Sequence, residues 1–553
     1  MAATFPDAQQ LYSYLCALRR TNEPGKDGGP RKWPGLRATV TEKEGQVHLM
    51  FNRRSGGNAY SPICGWWLAL LLATAPCALG SAFAVNELGA RAQGMGGAFT
   101  SIADDPSALF FNPAGIAFLN GTNLQMDSLV VAGQFRFFPS ATPPGAVVPA
   151  KGFSGTNHLP FIPIASMYFT RRVNKKLAVG FAAYTPFGLA ANYTNFNDSD
   201  PANTKFVGRF AGSRAMLQQY WFQPTVAYRL TPNTAISVGL AFVHTHILLE
   251  QSFLNPYDKG DDFGRRLALT IFPGQDPDAA FRSFARLAPE GRLRAAAVAN
   301  APGISAGFLY KSPKSGTNIG MMVRSAVVSH LEGKASFAFA GTGALVPFLP
   351  KDQTLPLVFP NQAIKGLFTT PATYVIGISN NRVWHGTVAF DFRLQQFNRF
   401  QDFPINFTVT KDARGRDLGT GPERRLVFDF GNSWLLQGGY ERPISADKVP
   451  KMMRSLMSDV TLRAGYVFDH SPVPDKSVGP LFPDSSRNSV TVGMTKKRGN
   501  LDLTLFYQRM MMLDRVTNVP DNNYQFTNGD YRNFAHLAGM SMRMRLGRQE
   551  DPK

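Results

Sequence analysis

Few side chains in this 553-residue chain have the spacing needed to make or break a bond. His470-Ser471 is the pair most suggestive of nucleophilic catalysis, which needs Ser, His and an acid or amide converging on one face. No H-E-x-x-H occurs. His244 and His246 stand two residues apart, hence on one face of a strand, but they lack a nearby carboxylate or third His to complete a metal site. They read as polar residues lining an interior. Cys16, Cys64 and Cys77 all lie near the front of the chain. Beyond them there is no thiolate nucleophile, no disulfide framework and no Cys-based metal site. The residues therefore predict no catalytic centre, no metal and no cofactor.

The elements that would position any site begin with an export signal. Residues 55–85 carry no charge and include "WWLALLLATAPCALGSAFA", with Arg53-Arg54 before them and Ala82-Phe83-Ala84 as a small-x-small cleavage pattern. Pro62 and Pro76 limit the apolar run, which falls short of the ~20 residues of a spanning helix. The expectation is a signal peptide over residues 50–84, cut after Ala84. Residues 1–49 then read as an over-extended gene start. This front segment holds nine basic and five acidic residues, +4 of the chain's +20, which leaves +16 on the exported remainder. Such an excess implies an anionic neighbour, phospholipid or lipopolysaccharide, because export disfavours nucleic acid.

The remainder reads as strands. "KLAVGFAAYTPFGL", "AISVGLAFVHTHILLE", "DVTLRAGYVFD" and "LDLTLFYQRMMML" are among many stretches that alternate apolar with polar or small residues at period 2. Fourteen such strands fit between residues 121 and 546. Every second connection is short ("RVNKK", "TPN", "SPKSG", "KKRGN"), and the others are long, above all 251–302 and 330–371. An outer-membrane β-barrel has this asymmetry, short turns to the periplasm. A soluble β-sandwich shares the alternation but gives no reason for the asymmetry. The predicted fold is all-β, a transmembrane antiparallel barrel of about 14 strands over 120–546, with a charged tail at 547–553. The long loops contain "FRSFARLAPEGRLRAAAVA", a candidate amphipathic helix with Arg282, Arg286, Arg292 and Arg294, and the apolar "FAFAGTGALVPFLP" and "LPLVFP". Exposed apolar surface of this kind marks binding. The arginines are shaped for lipopolysaccharide phosphates.

Residues 85–119 are too apolar for a loop and too broken for a helix. "NELGARAQGMGGAFTSIADDPSALFFNPAGIA", "YTPFGLAANY", "AGFLYKSPKSGTNIGMMVRSAVVSHLEGKASF" and "LRAGYVFDHSPVPDKSVGPLFPDSSRNSVTVG" occur in this order. Together they resemble the FadL-type outer-membrane transporters of long-chain fatty acids and other hydrophobic compounds, including toluene-type members. The resemblance implies an N-terminal hatch over 85–119, with Asn112-Pro113-Ala114 as its turn, facing an inward kink of strand three at Phe187-Gly188-Leu189. It implies passive uptake: capture by extracellular loops, then lateral release through the kink into the outer leaflet. It also implies export to the outer membrane of a Gram-negative bacterium, insertion by the barrel-assembly machinery and a monomeric state. Thr185 matches the family's ligand hydroxyl, and Arg424 and Arg425 are candidates for its basic residues, although Leu426 occupies the best register. "HILLEQSF" at strand five carries Glu250 and no cation, which weakens the case for a carboxylate and leaves the ligand either a fatty acid or an uncharged aromatic or alkane. The rival readings are an outer-membrane phospholipase or esterase barrel and a structural or adhesin barrel.

Overall fold

The structure is a computed structural model. It describes residues 2–5, 36–43, 46–53, 82–140, 155–157, 162–193, 206–253, 273–276, 279, 291–339, 361–408, 423–444, 458–520, 522–523 and 527–546. The chain divides into Met1–Leu72 and Ala73–Lys553. In the first unit, Ala2–Phe5, Gln46–Arg53 and Leu36–Lys43 form a three-stranded antiparallel sheet in that spatial order. Its central strand runs across Met50, where the expected signal segment would begin. Most of the signal segment lies outside the described residues.

The second unit is a closed antiparallel barrel. Its fourteen strands are β1 (Thr122–Pro139), β2 (Gly155–Thr156 and Ile162–Arg172), β3 (Leu177–Asn192), β4 (Arg214–Thr231) and β5 (Thr234–Phe253). Then follow β6 (Gly291–Lys311), β7 (Thr317–Arg324 and Val327–Phe339), β8 (Gln362–Thr370 and Thr373–Val383) and β9 (Gly386–Gln395 and Asp402–Phe407). The last are β10 (Glu423–Val427 and Ser433–Pro443), β11 (Val460–His470), β12 (Arg487–Arg498), β13 (Leu501–Met512 and Arg515–Thr517) and β14 (Gly529–Leu546). β14 closes on β1 from Gly529↔Pro139 to Leu546↔Thr122, so the first and last strands leave no open edge to lipid. The final strand thus ends on Leu546, and the tail lies outside the described residues.

Alternation gives each strand two faces. On β5, Ala241, Val243 and Thr245 are buried, whereas Leu240 is 61% and Phe242 54% exposed. Even-numbered positions therefore point out to lipid. His244 and His246 share that outward parity, and His244 Nδ1 meets Asn300 Oδ1 at 2.8 Å on the outer surface. This corrects the expectation that they line the interior. Trp384, 75% exposed and packed edge-on against Tyr440 at 6.3 Å beside a short turn, belongs to the aromatic girdle of such barrels.

The long connections are shorter than expected. β6 starts at Gly291 instead of after residue 302, pairing Arg292↔Ser252 and Arg294↔Glu250, so the second half of the expected helix is strand. Alanine and arginine favour helix in isolation, but a strand already exposed at β5 offers a hydrogen-bond partner for every residue. Arg282 and Arg286 lie outside the described residues. β7 runs on to Phe339 and β8 resumes at Gln362, and most of the apolar sequence between them also lies outside those residues.

Residues 85–119 fill the lumen. They contain two single-turn helices, Ala90–Gln93 and Ala108–Phe111, and a 3-10 turn at Pro113–Phe118. Phe99, Phe110, Phe111 and Ile116 are buried with wall residues such as Tyr184, Trp221 and Phe506. Wall glycines let this segment come close. A Cβ on Gly439 would lie 2.3 Å from Met95 O, and one on Gly465 would lie 2.2 Å from Gly96 N. Gly465→Val should therefore cost about 1–3 kcal/mol by overpacking or lift the segment off the wall. Ion conductance of the reconstituted barrel should rise, and an unchanged conductance would show that the segment does not seal the lumen.

Candidate functional site

The site is a break in the wall. β3 pairs with β2 only from Arg172↔Ala178 to Met167↔Ala183, so the edge of β3 facing β2 is unpaired by strand from Tyr184 on. On its other side the register to β4 shifts between Tyr184 and Phe187, a bulge containing Thr185-Pro186. Pro186 has no N–H to offer a ladder, and Gly188 adds no side chain to pack, so this sequence weakens pairing locally. Phe187, Gly188 and Leu189, where the kink is expected, follow this bulge directly, and the Thr185 side chain is buried within it.

What covers the exposed edge is a short strap, Ala82–Val85. Val85 N–H donates to Pro186 O at 2.8 Å, and Gly188 N–H donates to Phe83 O at 2.8 Å, flanking an Ala84↔Phe187 bridge. Further along, Asn192 N–H donates to Asn157 Oδ1 at 3.1 Å. The Ala82 N–H donates to Asp484 Oδ2 at 3.1 Å. Polar backbone beside lipid needs partners, and here the strap supplies them. Asn112, expected in a turn that faces the kink, does not. Its Nδ2 donates to Thr100 O at 2.8 Å and Phe308 O at 2.9 Å, and its Oδ1 accepts from Ala114 N–H at 3.2 Å. Asn112-Pro113-Ala114 therefore caps its own turn and ties it to β6, at Gly307, where a Cβ would lie 2.3 Å from Asn112 Oδ1.

Phe83, fully buried, points the strap into an aromatic chamber. Its ring lies 6.0 Å from Phe187, 5.6 Å from Phe368, 5.0 Å from Phe397, 5.1 Å from Phe400 and 6.2 Å from Phe482. Phe400 stacks on Phe428 at 4.7 Å, and Phe430 closes on Phe482 at 5.6 Å. Edge-to-face and offset pairs at these distances add to simple burial. The chamber is built from the breaks in β9 and β10, from β8 and from the loop before β12, so no single stretch of sequence announces it. Beside the strap, Ala82, Leu189, Phe482 and Met512 line a cavity of about 30 Å³, room for water but not for a ligand. The break in the wall is filled in this conformation.

Charges near the chamber are already matched. Arg487 donates to Asp469 at 3.0 Å and to Asp484 at 2.9 Å. Arg425 points outward and pairs with Asp402 at 3.0 Å, while Leu426 is buried in the chamber's cluster. The Arg424 side chain lies outside the described residues. Two arginines that sequence reasoning missed, Arg324 and Arg393, are buried further down against the lumen segment. Arg324 donates to Phe110 O at 2.9 Å, and Arg393 donates to Asn86 Oδ1 at 2.6 Å.

Below them the lumen segment is tied to the wall by charge. Arg91 bonds Asp104 and lies 2.8 Å from Glu441, which also takes Arg463 at 2.9 Å. Burial pushes the Asp104 carboxyl up, but the Arg91 guanidinium outweighs burial and holds it below its ordinary value. For Asp105 burial wins, and its carboxyl is raised. Phe99 N–H and Thr100 N–H both donate to Asp391 Oδ2, at 3.0 and 2.8 Å.

Among the described residues, His470 and Ser471 do not form a catalytic pair. Ser471 gives its hydroxyl to Asp484 at 2.6 Å, and His470 stacks on Trp434 at 5.3 Å instead of bonding Ser471. Gly303-Ile304-Ser305-Ala306-Gly307 fits G-x-S-x-G, but Ser305 is mid-strand in β6 and not on a strand-to-helix turn. Among the described residues there is no cluster of His, Cys, Asp or Glu fit to hold a metal.

The family model for outer membrane protein transport proteins (OMPP1/FadL/TodX) matches residues 70–418. The chain belongs to that family. It is an outer-membrane transport protein of the Gram-negative type. A Pseudomonas aeruginosa FadL homologue has the same fold at 16% identity and TM-score 0.64, covering 84% of this chain and all of that one. The P. putida toluene transporter TodX matches at 18% identity and TM-score 0.59, over 83% of this chain and 99% of that one. The Ralstonia pickettii toluene transporter TbuX matches at 15% identity and TM-score 0.57, over 83% and 98%. A protein of Neisseria meningitidis serogroup B described as an outer membrane protein is 26% identical over 125 residues, 21% of this chain and 27% of its own length.

Proposed function

We propose that this family member is a passive, monomeric and non-enzymatic channel for uncharged hydrophobic small molecules, aromatic or alkane. The extracellular loops capture the ligand, the aromatic chamber holds it, and it leaves sideways between β2 and β3 into the outer leaflet. Residues 85–119 act as the hatch that seals the lumen against any axial route. One observation carries this reading: the β3 edge past Ala183 is covered by a four-residue strap and not by a strand. Crossing an aqueous lumen would cost about 0.8 kcal/mol for each CH₂ exposed, and a lateral exit avoids that. Arg487 and Arg425, the cations described beside the chamber, are already paired with carboxylates, and this favours an uncharged ligand over a carboxylate, which would need a buried partner. The partners of this reading are the outer-leaflet lipid and lipopolysaccharide around the wall, and the assembly machinery that inserts it.

The strap also bears on processing. A cut after Ala84 would discard Phe83 and leave the β3 edge bare. Ala78-Leu79-Gly80 repeats the small-x-small pattern upstream, and a cut after Gly80 would keep the strap. The intact mass of the mature protein should correspond to a chain starting at Ser81, and a start at Val85 would overturn this assignment. For the ligand, mass spectrometry of what co-purifies in the barrel should find a neutral hydrocarbon. A stoichiometric fatty acid would overturn the uncharged reading, and lipid hydrolysis by the purified barrel would favour an enzyme.

A further inference from the structure

The outer wall carries a belt of cations at the long-loop end of its β4–β8 sector. By strand parity, Arg214 (β4), Arg292 and Arg294 (β6), Lys334 (β7) and Lys365 (β8) all face outward, away from the lumen. They form neighbouring rows. Arg214↔Glu250↔Arg294↔Ser336 is one row, and Ala296↔Lys334↔Ala363 and Val298↔Glu332↔Lys365 are the next two. At ~4.8 Å between strands, the belt spans roughly 20 Å.

Its charge is not balanced from within. Arg214, Arg292 and Arg294 share one carboxylate, Glu250, at 3.6, 3.1 and 3.7 Å. Lys365 reaches Glu332 at 3.4 Å, both largely exposed. Among the described residues, five cations thus face two carboxylates on one sector of wall. The last of these rows already holds the exposed apolar Val298, and toward the short turns follow Phe242 and Leu240, the surface that acyl chains cover. A cation set immediately above an acyl-covered band lies at headgroup depth, where guanidinium and ammonium groups attract phosphate.

We propose that this belt is a binding site for the phosphorylated glucosamine headgroup of one lipopolysaccharide molecule, its acyl chains lying on the apolar rows below. Two phosphates at the ends of a disaccharide suit a belt of this width. The site deepens the lipid partnership of the proposed function by giving it residues, and it lies on the sector adjoining β4, next to the β2–β3 exit. Glu250 holds the arginine fork in place, and the surplus charge of Arg214 and Arg294 faces the lipid.

The test uses the full chain in detergent with purified bisphosphorylated lipid A as probe, read by native mass spectrometry. The variant combines Arg214→Gln, Arg294→Gln, Lys334→Gln and Lys365→Gln. Arg292 is kept so that Glu250 is not orphaned. Wild type should retain one lipid A, and the variant should bind at least about tenfold more weakly. Dephosphorylated lipid A should bind wild type as poorly as the variant binds the phosphorylated form. A far-wall variant, Arg136→Gln with Arg509→Gln, should bind like wild type, and heat-dependent gel mobility shows that each barrel is folded. Equal binding by wild type and the belt variant, equal binding of both lipids, or equal loss in the far-wall variant would each overturn the site. Displacement by inorganic phosphate alone would assign the belt to free anions and overturn the lipid assignment. None of these readouts depends on ligand uptake, so failure of the transport reading would leave them unchanged.

Discussion

Oxidising a barrel that carries Ala84→Cys and Phe187→Cys should lower hydrophobic-ligand uptake at least about tenfold, and reduction should restore it. The pair bridges strap and kink, and the flanking bonds from Val85 to Pro186 and from Gly188 to Phe83 make it a close, non-hydrogen-bonded antiparallel pair. Such pairs bring Cα atoms within reach of a disulfide. The native cysteines, Cys16, Cys64 and Cys77, all precede the proposed processing site, so the engineered pair would have no competitor. The bond would leave the chamber, the loops and the hatch otherwise intact and change only whether the strap can leave the β3 edge. A ligand bound for the outer leaflet has to pass that edge. Uptake that is equally fast with the bond closed would sink the lateral route and force passage past the hatch, where Arg91, Glu441 and Asp104 surround a polar cavity of about 380 Å³ ill suited to hydrocarbon. Each single-cysteine variant should be insensitive to oxidant.

How far these features could be read in advance differs by residue. The fourteen strands were legible because alternation at period 2 is written into every one of them, and short turns mark their ends. The start of β6 was not. "GRLRAAAVA" has helical preference, and only the waiting edge of β5 at Glu250–Ser252 makes it strand. Gly188 marked a weak point in β3, but the bulge at Thr185-Pro186 and the strap that covers the edge were not legible. Asn112 had the right chemistry and the wrong neighbour, because its distance to Phe308 depends on how the hatch seats in the barrel. The facing of His244 was available in principle, since Leu240 and Phe242 share its parity and are too apolar for a wet interior. The aromatic chamber was invisible for a different reason. Phe83, Phe368, Phe400, Phe428 and Phe482 come from the strap, two strand breaks, a strand and a loop, and a sequence shows neighbours along the chain, not across a lumen.

The chamber is where the second large effect is expected. Phe400→Asp should cut hydrocarbon uptake at least about tenfold while the barrel keeps its heat-dependent gel mobility. Phe400 is stacked on Phe428 and edge-on to Phe83 and Phe368. Its replacement by an isolated carboxylate costs several kcal/mol if dry, and the alternative is a hydrated chamber that no longer favours an apolar guest. The strand ladders around it are unaffected, because Phe400 lies in the break between the two halves of β9. Phe400→Leu separates charge from shape: it keeps an apolar wall of similar size and should retain most of the uptake. Phe400→Lys sharpens the ligand question. It places a cation where none is available, so hydrocarbon uptake should fall as with Asp while retention of a long-chain fatty acid rises. Wild-type speed in Phe400→Asp would mean that the ligand does not cross this chamber. Fatty acid held as tightly by wild type as by Phe400→Lys would mean that the chamber already satisfies a carboxylate, and the ligand class would move from hydrocarbons to fatty acids.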